Sequence, residues 1–261
     1  MYMFFLLLVC IPDVLYIKNM KYFKLLFLFP IIISCTNTKE IISKEYNYEK
    51  MLFDTHRFEF EIHLENIDGF DKASELIRTL IYQNKNFDEY AEYREKDFIE
   101  GMNMREEFFP PQIDEDGAEY FYRSCLNVNY SVEFFSDSFI MIKYFEYIYY
   151  YGAAHGIYWT NFYIIDIAEK KILDVGDLLN QIPDELIRQI IEKEYSTDNY
   201  LRENIWHPDT INFSNGKIEL IWNIYQLLPY SFGMVSVEIP DDIAQQYLTE
   251  KGRILKMQIE K

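Results

Sequence analysis

The sequence predicts an α+β domain, a largely antiparallel β-sheet with helices packed on one face. Three observations carry that expectation. Segments with strict period-two alternation sit beside segments with helical period. The strand-like runs from residue 120 onward are joined by hairpin-length connections, which favour antiparallel pairing. Aromatic residues make up 18 % of the 261 residues, which supplies ample apolar surface for a core and excludes a disordered composition.

Residues 36–55 read as a polar tether. In "HRFEFEIHLE" (56–65), Phe58, Phe60, Ile62 and Leu64 share one face and charged residues the other, the pattern of a half-buried strand. "DKASELIRTLIYQN" (71–84) changes period, with Ala73, Leu76, Ile77, Leu80 and Ile81 on one helical stripe. A second, more charged helix is expected over 86–104, and "FFPPQIDEDGAEY" (108–120) is a loop. Strands are expected over 120–134, 138–151 and 157–167, the first two separated by Ser136-Asp137-Ser138. "AEKK" (168–171) is a turn, and "ILDVGDLL" leads towards a helix with Pro183 in its first turn and Leu186, Ile187, Ile190 and Ile191 on its buried stripe. After a polar linker (196–208), "INFSNGKIELIW" reads as a hairpin around Asn215-Gly216. Val235, Val237 and Ile239 alternate as a strand. Pro240 opens a short helix, and Leu255, Met257 and Ile259 suggest a last strand.

The N-terminus has its own logic. From Met20, "MKYFKLLFLFPIIISCTNTKE" places Lys21 and Lys24 before a short apolar run that ends at Cys35. This resembles a bacterial lipoprotein signal peptide, with Cys35 as the acylated residue and Met20 as the true start. The run is too short to span a hydrocarbon core of roughly 30 Å. Two or more acyl chains would anchor the protein stably. Cys125 is then the single remaining thiol, so no intrachain disulfide forms. The formal charge is −18, and residues 1–34 carry three lysines and one aspartate, so the remainder is two charges more negative. Such a chain repels nucleic acid and steers towards basic partners.

Catalytic signatures are missing. The sequence has no P-loop, dinucleotide-binding glycine pattern, paired metalloprotease histidines or serine elbow. Of the four histidines, His56 and His63 fall on opposite faces of one strand, and His155 and His207 meet only if the fold brings them together. No metal site and no cofactor is expected. Cys125 reads as a buried small hydrophobe. Asp114, Glu115, Asp116 and Glu119 form a solvated acidic loop without calcium-loop spacing. "YFEYIYYY" (144–151) is either a contact platform or a strand buried on both faces, the second being favoured.

"YYYGAAHGIYW" (149–159) combines two glycines and a histidine inside an aromatic run. With "NFYIIDIAEKKILDVGDLL" after it, the stretch resembles the C-terminal extracytoplasmic domain shared by the anti-sigma factor RsiV and the peptidoglycan deacetylase PdaC. Tyr150, Gly152, Ala153, Ala154, His155 and Gly156 fill that family's hairpin, with Ala153 where the family has a second glycine. Ile165-Asp166-Ile167 and Val175-Gly176-Asp177-Leu178-Leu179 fill two further segments, and "NIYQLLPYSFGMVSVEIP" (223–240) a third. The resemblance implies a parse into a signal region (1–34), a tether (35–55), a smaller α+β companion (56–118) and the resembling domain (119–261). It implies a non-catalytic envelope lipoprotein that binds a basic protein such as lysozyme, or peptidoglycan. Neither the deacetylase domain nor an internal membrane helix accompanies it. Candidate contact or turn residues are Tyr151, Gly152, His155, Gly156, Tyr225 and Tyr230. An envelope hydrolase and a structural assembly protein are the alternatives. Outer-membrane attachment is the default in a two-membrane cell, because Thr36 gives no retention signal.

Overall fold

Six strands form the central sheet in sequence order: β1 (Glu40–Leu52), β2 (His56–Asp68), β3 (Tyr122–Phe135), β4 (Phe139–Tyr149), β5 (Ile157–Asp166) and β6 (Lys171–Leu173). Neighbours are antiparallel except β2 and β3, which run parallel. A parallel pair needs a long crossover, and it contains helices α1 (Asp71–Leu80) and α2 (Phe87–Glu106). A second, antiparallel sheet contains β7 (Thr210–Ser214), β8 (Lys217–Trp222) and β9 (Val235–Ile239). Helices α3 (Val175–Leu178), α4 (Asp184–Tyr195), α5 (Asp241–Tyr247) and α6 (Glu250–Ile259) complete the chain. This computed structural model describes residues 39–52, 56–106, 122–195, 201, 205 and 207–261. The signal region, Cys35 and the acidic loop at 108–120 lie outside the described residues. No helix among those described is long and apolar enough to cross a membrane.

The α+β class and the mainly antiparallel pairing are as the sequence predicts. Two cores form, one on each face of the central sheet. Ile140, Ile142 and Tyr144 of β4 join Phe58, Phe60, Leu126 and Val128 beneath α1 and α2. Phe139 and Met141, of opposite parity, join Ile187 and Ile191 of α4, Leu255 of α6 and the second sheet. The helices therefore divide between the faces. Asp166, at the end of β5, accepts the N–H groups of Ala168 and Glu169 at 2.9 Å each and pairs with Lys251 of α6 at 2.9 Å, which ties the turn after β5 to the second layer.

Two segments differ from the sequence reading. The expected tether is β1, a strand of 13 residues paired along its length with β2. Its polarity belongs to an edge strand, where charged side chains discourage further pairing. Tyr46 and Tyr48 pack against the core from β1. Their hydroxyls donate to Asp88 at 2.8 Å and Glu95 at 2.7 Å on α2, and Lys44 and Lys50 pair with the same carboxylates. The expected last strand is helix α6. Thr249 caps it by accepting the Gly252 N–H at 3.1 Å. Gly252, Leu255 and Lys256 are its buried residues, spaced by three and four, whereas Met257 is half exposed. The alternation of Leu255, Met257 and Ile259 was a coincidence within a helical stripe.

β5 has a free outer edge over much of its length, because β6 pairs only with Ile164, Ile165 and Asp166. Two side chains stand in for the missing strand. The Thr160 N–H donates to Asn223 Oδ1 at 2.7 Å, and Asn223 Nδ2 returns a bond to the Thr160 carbonyl at 3.1 Å. Thr210 Oγ1 accepts from the Phe162 N–H at 2.8 Å and donates to the Phe162 carbonyl at 3.1 Å. Both layers are joined by these four bonds. The double variant Asn223→Ala, Thr210→Val removes all four partners. It should lose about 2–6 kcal/mol, at ~0.5–1.5 kcal/mol for each of the four hydrogen bonds, and should associate through the bared edge. Urea denaturation and light scattering against concentration measure the two effects.

Candidate functional site

The connection between β4 and β5 sets the site. Gly152 adopts φ +77°, the left-handed conformation that suits glycine, and the Ala153 N–H donates to the Tyr150 carbonyl at 3.0 Å. Ala153 is not among the positive-φ residues, so alanine here meets no backbone penalty. Tyr151 fastens the turn through its backbone, donating its N–H to Ser124 Oγ of β3 at 2.8 Å. Gly156 serves a different purpose. A Cβ there would lie 2.4 Å from ring atoms of Tyr147 on β4, so glycine allows close approach of the Tyr147 ring.

The Gly156 carbonyl is the hub of a hydrogen-bonded cluster. It accepts from the Tyr230 hydroxyl at 2.9 Å and lies 3.1 Å from His155 Nδ1. A carbonyl only accepts, so Nδ1 carries the proton of the neutral imidazole. Nε2 is then an acceptor, and the Tyr225 hydroxyl donates to it at 3.1 Å. The His155 ring also stacks on Tyr230, with centroids 3.6 Å apart and planes inclined by 17°. Tyr230 opens a short 3₁₀ turn, Tyr230–Phe232, within the β8–β9 connection that also carries Tyr225. Tyr225 is 45 % exposed and holds φ +67°, an outlier for a bulky residue.

Of the six candidates, His155, Gly156, Tyr225 and Tyr230 meet in one cluster, while Tyr151 and Gly152 shape the turn beside it. Tyr147 was missed as an individual, although it lies within the tyrosine run. Within that run only Tyr144 and Glu146 are buried and the rest are half-covered, so it is not a strand buried on both faces. Tyr147 also lines a groove of about 630 Å³ over β1–β3. Its charged residues are Glu49, Glu59, Glu61, Arg57 and Arg123. Arg57 bonds Glu49 and Arg123 bonds Glu59, whereas Glu61 is held by the neutral Asn127 at 2.7 Å, so the groove leans acidic.

The other candidates stay apart. His63 contacts Glu65 at 3.0 Å and Glu45 at 3.4 Å, and His207 is exposed. The His56 side chain and the acidic quartet at 114–119 lie outside the described residues. Among the described residues no group of three or more His, Cys, Asp or Glu is arranged to hold a metal. Cys125 is half-buried, not fully buried as expected, because its side chain faces the open groove; burial pushes its thiol pKa up.

Residues 170–242 match the family model described as "Protein of unknown function (DUF3298)". The segment runs from β6 through the Tyr225 and Tyr230 connection to α5. A member of the same family from Bacteroides fragilis shares the fold, with a TM-score of 0.60 at 20 % identity, over 85 % of this chain and 98 % of that one. A DUF3298 family protein from Pseudomonas aeruginosa aligns over 82 % of this chain and 97 % of its own, with a TM-score of 0.47 and 15 % identity. No curated protein matches the chain.

Gly156 gives a test of the cluster that is independent of backbone conformation, because its φ is not positive. Gly156→Ala should displace Tyr147 and separate His155 from Tyr230, at a cost of ~1–3 kcal/mol for overpacking. Thermal unfolding reads the cost. The ring-current shift of the His155 protons in NMR spectra, expected in the parent protein, should vanish in the variant.

Proposed function

We propose that the protein is a non-catalytic cell-envelope lipoprotein, anchored through lipid on Cys35, whose domain binds a partner through the His155–Tyr225–Tyr230 cluster. The observation that carries this reading is the commitment of both His155 nitrogens within a partly exposed aromatic surface. Nδ1 is engaged by backbone and Nε2 by Tyr225, and neither partner is a carboxylate. A general base needs a nitrogen open to substrate and a pKa set by neighbours; a contact surface needs rigid rings with polar tips, which histidine and two tyrosines provide. The Tyr225 backbone supports it: its φ of +67° lies in the turn closed by the Gln226 N–H on the Asn223 carbonyl at 3.0 Å, where glycine or asparagine is favoured, yet the position carries a tyrosine whose hydroxyl meets His155. The resemblance to the RsiV and PdaC domain supports the same reading and suggests lysozyme or peptidoglycan as partner. The acidic groove beside the cluster and the −18 charge favour the basic protein.

Binding of the chain from residue 36 to lysozyme and to insoluble peptidoglycan, across a salt series, tests this. Lysozyme affinity should fall with salt, and Tyr225→Ala should weaken it about tenfold or more. Absence of binding to both at low salt would overturn the proposal. The anchor is tested separately: Cys35→Ser should abolish fatty-acid labelling and release the protein from membranes, and unchanged labelling would refute that assignment.

A further inference from the structure

We propose that a second cavity, on the opposite face of the β4–β5 pair, binds one uncharged sugar ring. Tyr144 of β4 lies opposite Asn161 of β5, and Trp159 and Tyr163 flank Asn161 on the same face. That face is covered by α1 and α2 over β2–β4, but beyond the end of α1 a cavity of about 360 Å³ remains, at the lower end of small-molecule sites. Arg94 of α2 and Gln83 of the turn after α1 complete the residues used here.

Charge selects the ligand class. Among the described residues Arg94 is the only cation lining the cavity, and its guanidinium donates to Glu146 at 2.7 Å and to the Tyr144 hydroxyl at 3.2 Å. Glu146 is buried and Arg94 largely covered, with side-chain exposures of 2 % and 11 %. The cation is therefore already compensated, and a ligand with net charge would shed its hydration without gaining a partner. A wholly apolar ligand would strip water from the Asn161 and Gln83 amides, whose bonds within the protein are long: Asn161 Oδ1 accepts from Asn223 Nδ2 at 3.5 Å and Gln83 Oε1 from Lys85 Nζ at 3.4 Å. An uncharged polyol ring satisfies both limits: its hydroxyls meet the amides, and its C–H face lies on Trp159 or Tyr163.

Two local costs border this cavity. Gln83 holds φ +53° in the turn closed by the Lys85 N–H on the Tyr82 carbonyl at 2.9 Å, a position that glycine or asparagine fills at lower cost. Arg94 Nε is buried with no partner of hydrogen-bond geometry; Tyr90 is close enough to favour the charged guanidinium, but its hydroxyl is engaged with Tyr130 at 2.8 Å. Costs of this kind concentrate at functional sites.

The inference does not depend on the role proposed for His155. It is tested on the full chain, held in a zwitterionic detergent without a sugar headgroup. N-acetylglucosamine and glucose are titrated by calorimetry and tryptophan fluorescence, with glucosamine and glucuronic acid as charged controls. A neutral sugar should bind saturably and in preference to both charged ones. Trp159→Ala and Asn161→Ala should each weaken it about tenfold, Trp159→Phe should retain most of it, and Tyr225→Ala should leave it unchanged. Circular dichroism confirms that each variant is folded. Failure of both neutral sugars to bind, preference for a charged sugar, or binding indifferent to both Trp159→Ala and Asn161→Ala would overturn the proposal.

Discussion

The parity of β4 is the constraint on which the rest of the structure depends. The strand is paired on both edges, with β3 and β5, so each residue is committed to one face or the other. Ile140, Ile142 and Tyr144 build one core and Phe139 and Met141 the other. A slip of one residue would exchange the two sets and destroy both cores together. The register is pinned where β4 begins. Ser136 donates its N–H to the Phe139 carbonyl at 2.8 Å, and its hydroxyl accepts from the Ser138 and Phe139 N–H groups at 3.1 and 3.0 Å. The irregularity between Val132 and Phe134 on β3 absorbs the offset on the partner side.

The same parity places Glu146 on a core face, where a carboxylate is costly. Burial pushes its pKa up, against the pull of Arg94. Replacing such a pair with apolar residues of equal volume is often neutral or stabilising, whereas removing one partner is costly. Stability therefore does not explain why the pair is present. Its position does: Arg94 reaches the cavity wall, where it donates to Tyr144 and fixes the orientation of that phenol. The pair thus positions an aromatic wall rather than supplying a net charge.

How much of this was legible depends on how strongly each segment repeats its own period. The alternation in 56–65 and the stripe at Ala73, Leu76 and Ile77 identify a strand and a helix because one face of each is buried. β1 was illegible because its burial is supplied by two tyrosines and its partners by residues on α2, more than forty positions away. α6 was misread because three apolar residues two apart mimic a strand, while its cap at Thr249 was overlooked. At the site, the glycines and His155 were visible in the hairpin. Their junction with Tyr225 and Tyr230 depends on the second sheet docking against the first, which no local pattern encodes. The cavity on the other face was invisible for a related reason. Arg94 and Glu146 look like ordinary surface charges until the crossover brings α2 over β4.

Positive φ in this chain accompanies hydrogen-bonded turns, and two of those turns border the sites described above. Among the described residues five non-glycine residues have positive φ: Gln83, Asn84, Lys170, Asn215 and Tyr225. Asn215 lies in the two-residue turn between β7 and β8, and asparagine tolerates this conformation. Lys170 closes the turn after β5, donating its N–H to the Asp166 carbonyl at 2.8 Å. Asn84 follows α1 and donates its N–H to the Arg78 carbonyl at 2.9 Å, satisfying an orphan helix carbonyl. Gln83 and Tyr225 also sit in turns, closed by the Lys85 N–H on the Tyr82 carbonyl at 2.9 Å and by the Gln226 N–H on the Asn223 carbonyl at 3.0 Å, and each is a residue type for which the left-handed region is unfavourable. One lines the cavity beside Arg94 and the other donates to His155. Two of these turns thus carry side chains to the two faces of one strand pair, where the fold presents two different chemistries.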